Sequence, residues 1–165
     1  MHIYLRKISD SRHALTIVRE DGGTESVECE TRSHLMHDLL HHAVESQAGL
    51  DGGFWGSLAG GKTLAELNDG TPMDPGGQML MIEQIVGVMS GVAKGASGEA
   101  IVAGLRRNAD ALSWSIPTWL TPSFVTAVQE RMRRLVGQWK ATAYGETMEL
   151  RWPPHEPDML PLTLA

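Results

Sequence analysis

The chain has little cysteine: Cys29 is the only one in 165 residues. A lone thiol closes no internal disulfide, so nothing in the sequence calls for an oxidising compartment. Positive charge is also scarce, with 14 Lys and Arg against 20 Asp and Glu and a net charge of −6. That balance argues against a nucleic-acid binder, whose affinity rests on neutralised phosphates. Aromatic residues make up only 5% of the chain and do not interleave with Arg106, Arg107, Arg131, Arg133 and Arg134. Those arginines therefore read as solvated helix surface rather than a base-stacking platform. Long apolar runs are missing too. The N-terminus, Met1 to Lys7, holds no signal-peptide core, and the most apolar stretch is interrupted by Glu83 and Gln84 before it could cross a membrane. The expectation is a cytoplasmic protein with neither membrane nor nucleic acid as partner. Arginine outnumbers lysine ten to four, which fits a GC-rich bacterial source.

What is present is ordinary globular material, 42% hydrophobic and 21% charged. At this length folding buries roughly 70% of the unfolded chain's surface, enough for a core without staples. No repeat and no long linker divides the chain. A single α+β domain over residues 1–152 is expected, followed by a proline-rich extended tail over 153–165.

The first thirty residues alternate with period two, the signature of half-buried strands. Ile3 and Leu5, then Leu15 and Ile17, then Val27 and Cys29 take one face. Ser9-Asp10-Ser11 and Asp21-Gly22-Gly23 supply the turns. Met148, Leu150 and Trp152 mark a fourth strand that Pro153-Pro154 ends. The pattern predicts an antiparallel meander of three or four strands, packed on a mostly helical layer of four to five helices. Helix exceeds strand in that reading.

In the helical middle, Thr31 or Ser33 is placed to cap a helix reaching Gln47. A glycine-rich stretch, Gly49 to Gly61, follows, with Phe54, Trp55 and Leu58 as its anchors. Thr63 and Glu66 form a capping box for a short helix. Longer helices are expected at about 76–94, 98–114 and 122–141. The last is capped by Thr121, opened by Pro122, and striped by Phe124, Val125, Val128, Met132, Leu135, Val136 and Trp139. Gly87, Gly91 and Gly95 form a row on the first of these. Since each costs up to about 1 kcal/mol relative to alanine in a helix interior, the row predicts the close approach of another backbone, in this chain or a second copy.

Gly56 to Thr63 spells the Walker A pattern, with Gly56, Gly61, Lys62 and Thr63 at the defining positions. A phosphate-cradling loop needs a buried strand before it and a substantial helix after it. Ala48 to Gly53 cannot be such a strand, and Asn68-Asp69-Gly70 stops the helix early, so the match reads as coincidence.

The histidines are the better lead. His34, His37, His41 and His42 lie within nine residues, with Asp38 among them and Glu45 close behind. At about 100° per residue, Leu35, Met36, Leu39, Leu40, Ala43 and Val44 share one half of the helix. His34, His37, Asp38, His41 and Glu45 gather on the other. That polar face is either solvated or the lining of a site. His37 and His41 have the i, i+4 spacing that lets two imidazoles reach one divalent metal such as zinc, with Glu45 as third ligand and His34 as a further possibility. His2, His13, His155 and Asp10 are scattered candidates for the rest of a ligand set. By its letters the doublet His37-Asp38 resembles the paired His-Asp of HD-type phosphohydrolases. The string His37-Asp38-x-x-His41 is similar to a zinc motif of a ubiquinone-biosynthesis family. The resemblance covers five residues and stops there.

Cys29 reads as a buried, inert thiol at a strand end. Two functions follow. One is a small intracellular binding module that self-associates as a homo-oligomer, with no cofactor. The other is a metal-dependent, hydrolase-type enzyme, with His37 and His41 as ligands, Glu45 as ligand or base, and Asp38 orienting an imidazole.

Overall fold

A computed structural model describes residues 1–70, 73–74, 77–92, 96–112 and 115–154, except the side chains at 91–92, 108 and 110–112. The expected tail from residue 155 onward, with His155, lies outside the described residues, as do Gly95 and the surroundings of position 91. The elements run β1 (His2–Lys7), β2 (Arg12–Val18), β3 (Thr24–Glu30), a π-helical turn (Thr31–Leu35), α1 (Met36–Ala48), α2 (Phe54–Ala59), α3 (Leu64–Leu67), α4 (Gln78–Val92), α5 (Gly98–Leu112), α6 (Pro122–Ala141) and β4 (Thr147–Arg151). This is the expected α+β architecture, with helix exceeding strand.

The four strands form one antiparallel sheet in the order β3-β2-β1-β4. Its register stacks Leu5 on Leu15 and Met148, and Ile3 on Ile17 and Leu150. All six side chains are buried against the helices. Burying a residue of this size contributes about 1.5–3 kcal/mol. The opposite face is polar and wet: Arg12 pairs with Glu28 at 2.8 Å, and the hydroxyls of Thr16 and Ser26 meet at 2.8 Å. Helices cover one face only. Their cover also stops short of β3, because Val27 is 41% exposed although its register partner Leu15 is buried.

Within the helical layer α1 packs against α6, α4 and α2. Every residue from Asp38 to Ser46 is buried, so the helix is central and the His41–Glu45 part of its polar half is covered by protein, while His37 at its first turn stays exposed. Its C-terminus closes with Gly49 in the left-handed conformation (φ 64°), whose N–H is donated to the Glu45 carbonyl. Its N-terminus differs from expectation. Neither Thr31 nor Ser33 caps it; the Glu30 carboxylate accepts the N–H groups of Arg32 and Ser33 at 3.1 and 2.8 Å, and a π turn precedes α1.

Two further differences have local causes. The glycine-rich stretch contains a helix, α2, because Gly56 lets the chain fold against the Asp51 backbone where a Cβ would collide. Arg131, expected on the solvated side of α6, is 4% exposed. It lies three residues after Val128 and four before Leu135, inside the buried stripe. Arg133 and Arg134 are exposed as expected. In the glycine row, Gly87 is exposed and nothing stands within 4 Å of where its Cβ would be. Among the described residues no backbone makes the predicted approach at Gly87.

Candidate metal centre

The central position of α1 turns its polar half into the wall of a site. His37 and His41 lie one turn apart with ring centroids 4.6 Å from each other. Glu83 comes across from α4, where it is the lone carboxylate of an apolar helix. Its Oε1 stands 3.1 Å from His41 Nε2 and its Oε2 3.7 Å from His37 Nε2. One ligand atom from each of the three residues falls within 4.8 Å of the other two. Donors on a tetrahedral zinc ion stand about 3.3–3.5 Å apart, given bonds of 2.0–2.2 Å. The His41–Glu83 edge is already that short. His37, with 45% of its side chain exposed, has room to close the rest.

His41 is the pivot. It is 1% exposed, and its Nδ1 is held 3.0 Å from Glu45 Oε1. Glu45 is wholly buried, and its other contacts explain why. It accepts the N–H groups of Phe54 at 2.9 Å, Trp55 at 3.0 Å and Gly56 at 3.4 Å, the first three residues of α2. Gly53 at the N-cap has no side chain to do this, and a Cβ there would run into the Glu45 carboxylate. Glu45 thus caps one helix from another while fixing the tautomer of His41. With Nδ1 as donor to that carboxylate, Nε2 is the nitrogen turned toward Glu83 and His37, and it can ligate once deprotonated. Nε2 is buried and makes no hydrogen bond. Glu83 is near enough for an ion pair but off the direction a hydrogen bond needs.

Electrostatics follow from this packing in the metal-free protein. Asp38, at 3.8 Å from Nδ1, and then Glu83 push the His37 pKa up to about 9. At 3.7–3.8 Å these are ion pairs rather than hydrogen bonds. Burial would lower the pKa of His41, but Glu45 and Glu83 outweigh it and the net shift is upward. Burial works against ionised Glu83 as well, and the two imidazoles overcome it, drawing its pKa down to about 2.

The expected ligands divide by position. His37 and His41 share the centre with Glu83. Glu45 sits on the far side of the His41 ring with both oxygens engaged. The Asp38 carboxylate lies beside His37, and its carbonyl accepts the Trp55 indole N–H at 3.1 Å. His34 is exposed on the π turn, its Nδ1 near Ser33 Oγ at 3.0 Å and Glu30 O at 3.2 Å. His37, Asp38, His34 and Glu83 all open onto a groove of about 1400 Å³ between β3, α3 and the first turns of α1 and α4.

The chain matches no family model, no curated protein and no solved structure. The functional reading therefore rests on its own residues.

Elsewhere, the Walker-like letters fall on α2, the Gly60-Gly61 turn and the start of α3, with no strand leading into them. The Thr63 hydroxyl is spent capping Glu66 N–H at 3.1 Å, and Lys62 is exposed. His13 is buried under Trp139, its Nδ1 3.3 Å from Thr31 Oγ1, and burial lowers its pKa. Cys29 is half-buried, and burial pushes its thiol pKa up, away from nucleophilic use.

Proposed function

We propose that the protein binds a divalent metal ion, zinc by preference, through His37, His41 and Glu83, and acts as a metal-dependent enzyme of the hydrolase type. One observation carries the reading: His41 Nε2 is buried, makes no hydrogen bond, and is aimed at two further donor atoms by a carboxylate on its other nitrogen. Only the misaligned Glu83 carboxylate stands near that nitrogen, and a buried polar atom that makes no hydrogen bond costs about 1–3 kcal/mol. The arrangement makes sense if the nitrogen has an ion to bind. Two histidines and a glutamate with a position left toward a groove are the donor set of catalytic rather than structural zinc. An ion held there would lower the pKa of its bound water and supply a nucleophile at neutral pH. Asp38, beside His37 on the groove wall, is a carboxylate placed to take a proton. Glu45 orients and does not ligate. The test is elemental analysis of protein purified without a histidine tag, followed by zinc titration against a chromogenic chelator. One ion per chain is expected, with at least hundredfold weaker binding in His41→Ala and in Glu83→Ala. Absence of stoichiometric metal, or equal affinity in those variants, refutes the site.

A further inference from the structure

We propose that the open edge of β3 and the groove beside it dock an extended, lysine- or arginine-rich peptide segment of another protein, which adds to the sheet as a strand; the inference stands independently of the metal reading. β3 ends the sheet, and among the described residues no strand pairs with its outer edge. All six residues from Glu25 to Glu30 line the groove, although alternate residues point to opposite faces. The groove therefore runs along the strand's edge, where backbone donors and acceptors await a partner. Its apolar wall includes Val27, Leu15, Phe54 and Leu64, so the buried face of the sheet continues into open space. Strand addition uses such an edge for backbone hydrogen bonds, with side-chain preferences set alternately by the two faces.

Charge selects the occupant. Eight of the lining residues are carboxylates, against Arg12, Lys62 and a protonated His37, and the excess stays negative even with Arg19 paired to Glu25 and Arg12 to Glu28. Hydrogen bonds lower the pKa of Glu25 through Arg19, of Glu30 through Ser33 and of Glu66 through Thr63, so all three are ionised at neutral pH. A second copy of β3 would crowd three more carboxylates against Glu25, Glu28 and Glu30 along one seam, and neighbouring like charges destabilise a strand pair. A basic strand meets the opposite situation. Ser26, Glu28 and Glu30 take the wet face, while Val27 and Cys29 take the buried one together with Glu25 at its end, where Arg19 holds the carboxylate. The fitting segment alternates lysine or arginine with aliphatic residues.

The probe is a fluorescein-labelled ten-residue peptide of alternating valine and lysine, titrated into the full chain in EDTA and followed by anisotropy. Saturable binding is expected, at least tenfold weaker when alternate backbone nitrogens are N-methylated and at least tenfold weaker in the Val27→Lys/Glu28→Lys variant. Amide hydrogen exchange in the unsubstituted protein should slow across Thr24–Glu30 on peptide addition, a readout that needs no variant to fold. Equal affinity for the N-methylated peptide would reduce the contact to bulk charge and overturn strand addition. Equal binding of an alternating valine–glutamate peptide, unchanged exchange in β3, or a dimer in light scattering that pairs copies through β3 would each overturn the proposal as well.

Discussion

Replacing Glu45 by glutamine tests the centre of the argument with almost no change in shape. The carboxylate, itself with no access to water, accepts from His41 Nδ1 and from three backbone N–H groups of α2. An amide has one acceptor oxygen, so its NH₂ end must face donors. Either the amide NH₂ abuts the α2 amides, or His41 flips its tautomer and loses the Nε2 lone pair. Removing one partner from a buried charged network costs about 3–5 kcal/mol, a large share of a typical total of about 5–15 kcal/mol. In a chain of this size each kcal/mol moves Tm by about 2–4 °C, so a fall of roughly 6–20 °C is expected. Glu83→Gln is the matched control, since that side chain is 27% exposed and caps nothing. Losing its ion pairs to His37 and His41 should cost about 1–3 kcal/mol in metal-free protein, less than Glu45→Gln. Urea unfolding in EDTA at pH 7, followed by tryptophan fluorescence and far-UV circular dichroism, measures both. A Glu45→Gln cost below about 1 kcal/mol, or equal to that of Glu83→Gln, would refute the capping role and the fixed tautomer of His41.

Three further outcomes are expected. Zinc affinity should rise with pH through neutrality, by about tenfold per pH unit for each proton displaced, because His37 and His41 must lose the protons that their carboxylate neighbours favour; a flat profile between pH 6 and 9 by chelator competition counts against these ligands. The metal-free protein should behave in the opposite sense, since a histidine pKa raised from 6.5 to about 9 stabilises the fold fully below pH 6.5 and loses that contribution as pH climbs toward 9; urea midpoints across this window should fall, and less steeply in His37→Ala. Gly87→Ala should stabilise by about 0.5–1 kcal/mol, as open helix surface allows, whereas destabilisation coupled to a shift in light-scattering mass would place a second copy of the chain against that turn.

The sheet was legible because alternation reports directly which side of a strand is wet, and the inward faces of Ile3, Leu5, Leu15 and Ile17 follow from it. The helix from Pro122 announced itself through its cap and stripe. The failures share one physical origin, which is that sequence period describes an element's own polarity and not its neighbours. The polar half of α1 gives the same signal whether water or α4 lies beyond it. Glu45 looked like a third ligand because it lies one turn beyond His41. The α2 amides that occupy it come from a segment whose glycines carry no pattern. Glu83 was visible only as an interruption of an apolar run. An isolated carboxylate on an otherwise apolar helix is the signal that could have found it, since burying such a charge requires a partner. Arg131 was misplaced for the converse reason, because its charge was taken to indicate solvent while its spacing put it in the stripe.

The triad joins residues far apart in the chain, His37 on α1 and Glu83 on α4, with α2, α3 and the groove wall strung between them. An ion seated there would be a clasp on that whole excursion. Closing a loop of this length in the unfolded chain has an entropic cost of about 4 kcal/mol in the cross-link model. The clasped segment also carries Phe54 and Leu64 on the groove wall. Loading the centre would therefore tighten the far bank of the groove, and whatever lies along β3 would meet a stiffer wall in the charged protein than in the empty one.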